Sequence, residues 1–158
     1  MSIDNLVKHG NSTYNDLLSR LELSEDTIKR QILLEMGYTK EPRAYKKLLE
    51  YIETPLRHQA MIGMANIDYM STIDIFVSIL KKENKLETKN KETISCIFGD
   101  RIEKIGEDEF INELKKYFTY FELPIKKIFY ETITDCIRFT NIKKYDTYLE
   151  KIKTALVI

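Results

Sequence analysis

A segment of this chain repeats itself. Ile28-Lys-Arg-Gln-Ile-Leu-Leu-Glu-Met-Gly37 lays onto Leu56-Arg-His-Gln-Ala-Met-Ile-Gly-Met-Ala65 at an offset of 28 residues. Each copy leads into a second apolar-rich stretch, Ala44 to Ile52 and Thr72 to Leu80. A fixed period of this size marks stacked supersecondary units, because one such unit cannot bury its apolar face alone. The repeat therefore directs attention to surface rather than to catalysis.

Apolar spacing predicts helices throughout. Tyr14, Leu17, Leu18 and Leu21 form a first stripe from Ser12 to Leu21. Ser24 reads as an N-cap, followed by Glu25 and Asp26 where the helix dipole favours negative charge. The next helix has Ile28, Ile32, Leu33 and Met36 inward and Gly37 at its C-terminus. Pro42 opens a helix at the position where proline forfeits no hydrogen bond. Thr54 and Pro55 start the second copy, and Asp68 or Ser71 starts the helix that buries Ile73, Phe76, Val77 and Leu80.

In the second half, Ile94, Phe98, Ile102 and Ile105 form one stripe ending near Gly106. Phe110, Leu114, Tyr117, Phe118 and Phe121 form another. Pro124 opens a helix with Ile125, Ile128, Phe129, Ile133, Cys136 and Ile137 inward, and Asn141 reads as the cap of a last helix. The expectation is an all-α chain of about nine helices forming one domain over residues 1–158, with repeat units at about 24–53, 54–83, 90–121 and 123–158.

Composition bounds the partners. The 158 residues carry 25 Lys and Arg against 25 Asp and Glu, so preference for nucleic acid, anionic lipid or acidic substrate must come from local patches. Cys96 and Cys136 lie inside helical patterns and read as reduced, buried thiols. The N-terminus shows neither a basic start nor an apolar run, and no stretch approaches a membrane span. A cytoplasmic location without membrane association is expected.

The repeat resembles short bacterial HEAT repeats of the kind seen in phycobilin-lyase-like proteins. The resemblance rests on Lys29-Arg30, Met36-Gly37, the Pro42-Arg43-Ala44 opening and Leu48-Leu49, then on the second copy from Arg57 through Leu80. It covers about a third of the chain by motif and the remainder by periodicity. The family implies a right-handed stack of antiparallel helix pairs, an α-solenoid, that binds partners along a concave ridge. It implies no shared catalytic residues and no cofactor.

No catalytic constellation assembles in the sequence. His9 and His58 belong to no His-Glu-x-x-His pattern, and there is no Gly-x-Ser-x-Gly elbow or phosphate-cradling glycine loop. Asp100, Glu103, Glu107, Asp108, Glu109 and Glu113 outweigh Arg101 and Lys104 over residues 99–113. Acids in a first helical turn serve the dipole, and the alternative is an acidic docking surface for a basic partner. Metal binding is the weakest reading, because three consecutive helical residues point in different directions. Dilysines beside aromatics, Lys115-Lys116, Lys126-Lys127 and Lys143-Lys144, fit phosphate binding and base stacking. Their aromatics, however, fall on the inward stripes.

The second helix of each pair lines the concave face of such a stack. The offset places Lys46 beside Asp74, Lys47 beside Ile75 and Glu50 beside Ser78, and the following helix adds Glu109, Asn112, Glu113, Lys116 and Tyr120. Tyrosine at such a place offers large contact area with few rotatable bonds. The sequence thus points to a non-enzymatic module holding another protein, with an inhibitor or immunity protein that neutralises a cognate toxin as the role its size suits. The alternative is a nucleic-acid binder similar to HEAT-like alkylation-repair proteins. A cofactor scaffold like the bilin lyases has no residue to carry it, and oligomeric state is left unassigned.

Overall fold

The computed structural model describes residues 3–83, 87–138 and 144–158, with side chains described from Thr13 onward. Among these residues the fold is all-helical: α1 (Ile3–Leu23), α2 (Asp26–Tyr38), α3 (Pro42–Leu49), α4 (Arg57–Ile67), α5 (Tyr69–Lys82), α6 (Thr88–Ile105), α7 (Glu107–Glu113), α8 (Leu123–Ile137) and α9 (Tyr145–Leu156). A π-helical turn, Leu114–Phe118, continues α7. The expected cap Asn141 and the dilysine residue Lys143 lie outside the described residues. The chain divides into two compact units, Met1–Lys82 and Glu83–Ile158.

Local signals set most helix starts. Pro42 stands in the first turn of α3 and Pro124 in that of α8. Asp68 caps α5 by accepting from the Ser71 backbone N–H at 3.1 Å and from the Ser71 hydroxyl at 2.8 Å. The cap of α2 is Glu25 rather than Ser24, whose hydroxyl donates back to the Arg20 carbonyl at 2.6 Å. A serine that satisfies the end of the preceding helix is not available to start the next one. Helix α1 also begins earlier than Ser12, running through Gly10 from Ile3.

In the first unit α2 packs most extensively on α4, and it also touches α1 and α3. Leu17, Leu21, Leu33, Met36, Met61 and Phe76 are among its fully buried side chains. Ile28, expected inward, is 49% exposed. It sits in the first turn of α2, ahead of the Ile32–Leu33–Met36 stripe that meets the neighbouring helices.

Gly37 does not end α2; it lies buried inside the last turn, and Thr39 forms the cap in ordinary right-handed geometry. Its reason is proximity. A methyl group on Gly37 would stand 2.6 Å from Gly63 Cα and 2.7 Å from the Gly63 carbonyl oxygen. One on Gly63 would stand 2.7 Å from the Leu33 carbonyl oxygen. Two glycines thus let the backbones of α2 and α4 touch.

The second unit is built around phenylalanine. Phe98 on α6 meets Phe110, Phe118 and Phe129 with ring centroids 5.5–6.1 Å apart, and Phe121 closes the cluster against Phe118 and Phe129 at 5.4 and 5.8 Å. Most of these pairs are edge-to-face, the arrangement the ring quadrupole favours. Helix α6 packs on α8. The Ser95 hydroxyl donates to the Thr132 carbonyl at 3.3 Å, and the Cβ position of Gly99 lies 3.2 Å from Cys136 Sγ. Both pairs advance together along the two helices, so α6 and α8 run in the same direction. Gly106, with φ +86°, turns the chain from α6 into α7 in a conformation that side chains resist.

Because backbone meets backbone at Gly37 and Gly63, Gly37→Ala and Gly63→Ala are each expected to lower stability by about 1–3 kcal/mol, the usual cost of overpacking. Gly99→Ala, whose neighbour is a side-chain sulfur, is expected to cost less. Urea unfolding of the three variants checks the ranking; equal stability of all three would contradict the backbone contact.

Candidate functional site

The residues expected to face outward fall into two groups, one on each unit. In the first unit, α3 carries Lys46 and Lys47, and Glu50 follows as its cap. Lys46 and Glu50 are exposed. Lys47 is half-buried, with its ammonium 2.9 Å from Glu50 and 3.9 Å from Glu22. The hydrogen bond to Glu50 raises the Lys47 pKa, and partial burial opposes it. On α5, Asp74 and Ser78 are exposed, and the Ser78 hydroxyl donates to the Asp74 carbonyl at 3.1 Å.

A contact that sequence spacing does not reveal joins these helices. The Tyr45 hydroxyl and Thr72 Oγ1 lie 3.3 Å apart. Burial pushes the Tyr45 phenol up, Thr72 partly offsets this, and the charges of Asp68 and Asp74 add to the rise. The Tyr45–Thr72 pair is thus a point at which α3 meets α5. Residues 44 and 72 share a repeat position, and Tyr45 follows directly. That offset is the only sequence signal pointing to this pair.

In the second unit the residues divide by role. Glu109 and Asn112 are exposed on α7, with Asn112 Nδ2 3.4 Å from Glu109 Oε1. Glu113 is held internally. Its two carboxylate oxygens each accept from Arg101 Nε at 3.1 Å, and Oε1 also pairs with Arg101 Nη2. This forked pair fastens α7 to α6, with the Glu113 side chain only 15% exposed. The strength of a bidentate charged pair lies in its geometry.

Lys116 and Tyr117 belong to the π-helical turn. Tyr117, expected inward, is 40% exposed. Phe110, Leu114 and Phe118 are fully buried, and the widened turn sets Tyr117 apart from that stripe. The Lys116 ammonium lies 5.0 Å from the Tyr117 ring centroid, and a hydrogen bond with Tyr117 raises its pKa. Tyr120 follows with 88% of its surface exposed, and Leu123 is 48% exposed. Glu107, Asp108 and Glu109 occupy the first turn of α7 and all are exposed.

The dilysine groups resolve individually. Lys115, Lys116 and Lys127 are exposed, whereas Lys126 is buried. Phe118 and Phe129, beside two of the groups, lie in the core cluster and offer no face to a base, whereas Tyr117, directly after Lys116, is the exposed aromatic among them.

The cysteines differ from their expectation as a buried pair. Both are free; Cys96 is exposed and Cys136 half-buried. Cys96 lies off the Ile94–Phe98–Ile102 stripe, which accounts for its exposure. Burial, with Cys96 and Asp100 nearby, pushes the Cys136 thiol up to about 11. The neighbouring Tyr148 phenol is also pushed up by burial, and its hydroxyl donates to the Glu107 carbonyl at 3.1 Å. Among the described residues no group of three or more His, Cys, Asp or Glu side chains is arranged to hold a metal ion. No described helix is long and apolar enough to cross a membrane.

Among the described residues the fold is thus that of an all-helical protein. No protein-family model, no curated protein and no solved structure matches the chain.

Two outcomes follow from this geometry. Glu113→Gln is expected to lower stability by about 1–2 kcal/mol through loss of the charged hydrogen bonds to Arg101, measured by urea unfolding; an unchanged midpoint would contradict the strut. A raised thiol pKa means that the folded chain holds the Cys136 proton more tightly. Its stabilising contribution is complete below the ordinary value near 9.0 and fades as pH rises toward about 11. At pH 8, the smaller thiolate fraction should make native Cys136 react with iodoacetamide about a hundredfold more slowly than in unfolded chain. Equal rates would contradict the assignment.

Proposed function

We propose that this chain is a non-enzymatic interaction module that binds a partner protein through the outward faces of its helices. The observation that carries the reading is Tyr120, 88% exposed at the end of the π-helical turn and flanked by half-exposed Tyr117 and Leu123. A single exposed apolar side chain is ordinary. Three within seven residues, beside a wide turn of the kind that recurs at functional sites, form an anchor of large contact area. Lys46, Glu50, Asp74 and Ser78 provide a polar surface of mixed charge on the first unit, suited to selecting a partner by charge pattern.

In this reading the helix pairs within each unit stack in the HEAT manner. The extensive contact of α2 with α4, and the shared direction of α6 and α8, support that arrangement. The role we propose is that of an inhibitor or immunity protein acting on a cognate toxin in the cytoplasm. It needs surface complementarity and no chemistry of its own.

The test starts from a partner purified with the chain from its native host. Tyr120→Ala is expected to weaken the complex at least tenfold, the scale of an aromatic hot spot, while the melting temperature stays unchanged. Glu113 is unsuitable for this test, since its reversal would break the Arg101 pair. Wild-type affinity in the Tyr120→Ala variant would contradict the assigned anchor. The immunity role predicts that co-expression restores growth to cells making a toxin encoded beside this gene.

A further inference from the structure

A groove of about 510 Å³ runs between α7 with its π-helical turn and α9 in the second unit. From the first side it is lined by Asp108, Ile111, Asn112 and Lys115. From α9 come Thr147, Glu150, Lys151 and Thr154. Both sets have the spacing i, i+3, i+4, i+7, which is one continuous stripe of a helix. Two such stripes side by side form the kind of trough into which the ridge of a third helix packs.

The groove is polarised. The Tyr148 hydroxyl donates to the Glu107 carbonyl at 3.1 Å, which joins the start of α9 to the start of α7. At that end a second, adjoining hollow includes Glu107, Asp108, Glu109 and Asn112 and shares Asp108 and Asn112 with the groove. Lys115 lies seven residues beyond Asp108, or about 10 Å at the helical rise, while on α9 Glu150 and Lys151 are adjacent midway along the stripe, so their charges offset. The end at Glu107, Asp108 and Glu109 is therefore acidic and the end at Lys115 basic. Between those ends Ile111 and the stem of Lys151 offer carbon.

We infer that this groove docks a helix of the partner protein whose contact face carries a basic residue and, about two turns away, an acidic one. The inference rests on the protein-binding reading and gives that reading a second contact, built from α7 and α9. Charge complementarity selects the occupant. A uniformly basic segment, including a nucleic-acid-binding tail, would meet Lys115 at the far end. A uniformly acidic segment or a phosphate-rich backbone would meet Glu107, Asp108 and Glu109. A helix bearing both signs satisfies each end.

The probes are three alanine-rich helical peptides of sixteen residues. One carries Lys and Glu two turns apart, one carries Lys at both places, and one carries Glu at both. Each is titrated into the full isotopically labelled chain and followed by amide chemical shifts. The mixed peptide is expected to perturb α7 and α9 residues, including Asn112, Lys115, Thr147 and Lys151, and to bind at least fivefold more tightly than either single-sign peptide. Asp108→Lys with Lys115→Glu should reduce that preference to less than twofold while leaving the remaining spectrum intact. Equal binding of all three peptides, perturbation elsewhere, or no binding of the mixed peptide would overturn the inference. The purified partner separates this outcome from the broader reading. If Tyr120→Ala weakens the complex and the groove double variant does not, the groove assignment falls and protein binding stands. If no protein partner forms a complex through any of these residues, the broader reading falls, whatever the peptides do.

Discussion

Where Gly37 meets Gly63, two helices approach so closely that neither has room for a side chain, and the first unit follows from that contact. With α2 and α4 touching through backbone, the residues around them must fill what remains, which explains the burial of Leu33, Met36, Leu48, Met61 and Met64. The same approach leaves α3 and α5 as neighbours, joined by Tyr45 and Thr72. Lys46, Asp74 and Ser78 are exposed polar residues of these two helices, as is Glu50 at the α3 cap. The second unit meets the same packing problem differently, with five phenylalanines in mutual contact and a single glycine, Gly99, receiving a cysteine sulfur.

Much of the helical order is legible in sequence because it is local. Proline at 42 and 124, the Asp68 cap and the glycine at 106 act within a few residues of themselves, and apolar spacing identifies the buried side of each helix. What escapes sequence reading depends on contact between helices. Gly37 has the spacing of a C-terminal glycine, and only its distance from Gly63 shows the other purpose. Glu113 reads as an outward acid, but its partner Arg101 is on the preceding helix and turns it into an internal strut. Tyr117 follows the apolar stripe until the π-helical turn moves it off the register. The α9 side of the groove carries no signal at all, since Thr147 and Lys151 are ordinary polar residues until α7 lies beside them.

These differences redistribute the outward residues rather than removing the surface. Glu113 acts by holding α7 in place, so its effect on any partner passes through Glu109, Asn112 and Lys115. Tyr120 gains weight because Tyr117 and Leu123 join it in water. Charge on both units is mixed, with acid and base close together, which favours discrimination among protein partners over general attraction to a polyanion. Five phenylalanines fill the interior of the second unit.

The central claim is that the exterior around Tyr120 contacts a protein. Replacing Tyr120 by a photo-crosslinking phenylalanine analogue in the native host tests it most directly, with the same replacement at exposed Arg30 on α2 as a control. The account predicts one discrete protein adduct at position 120, absent at position 30. Crosslinking to nucleic acid, or the same adducts at both positions, would contradict it.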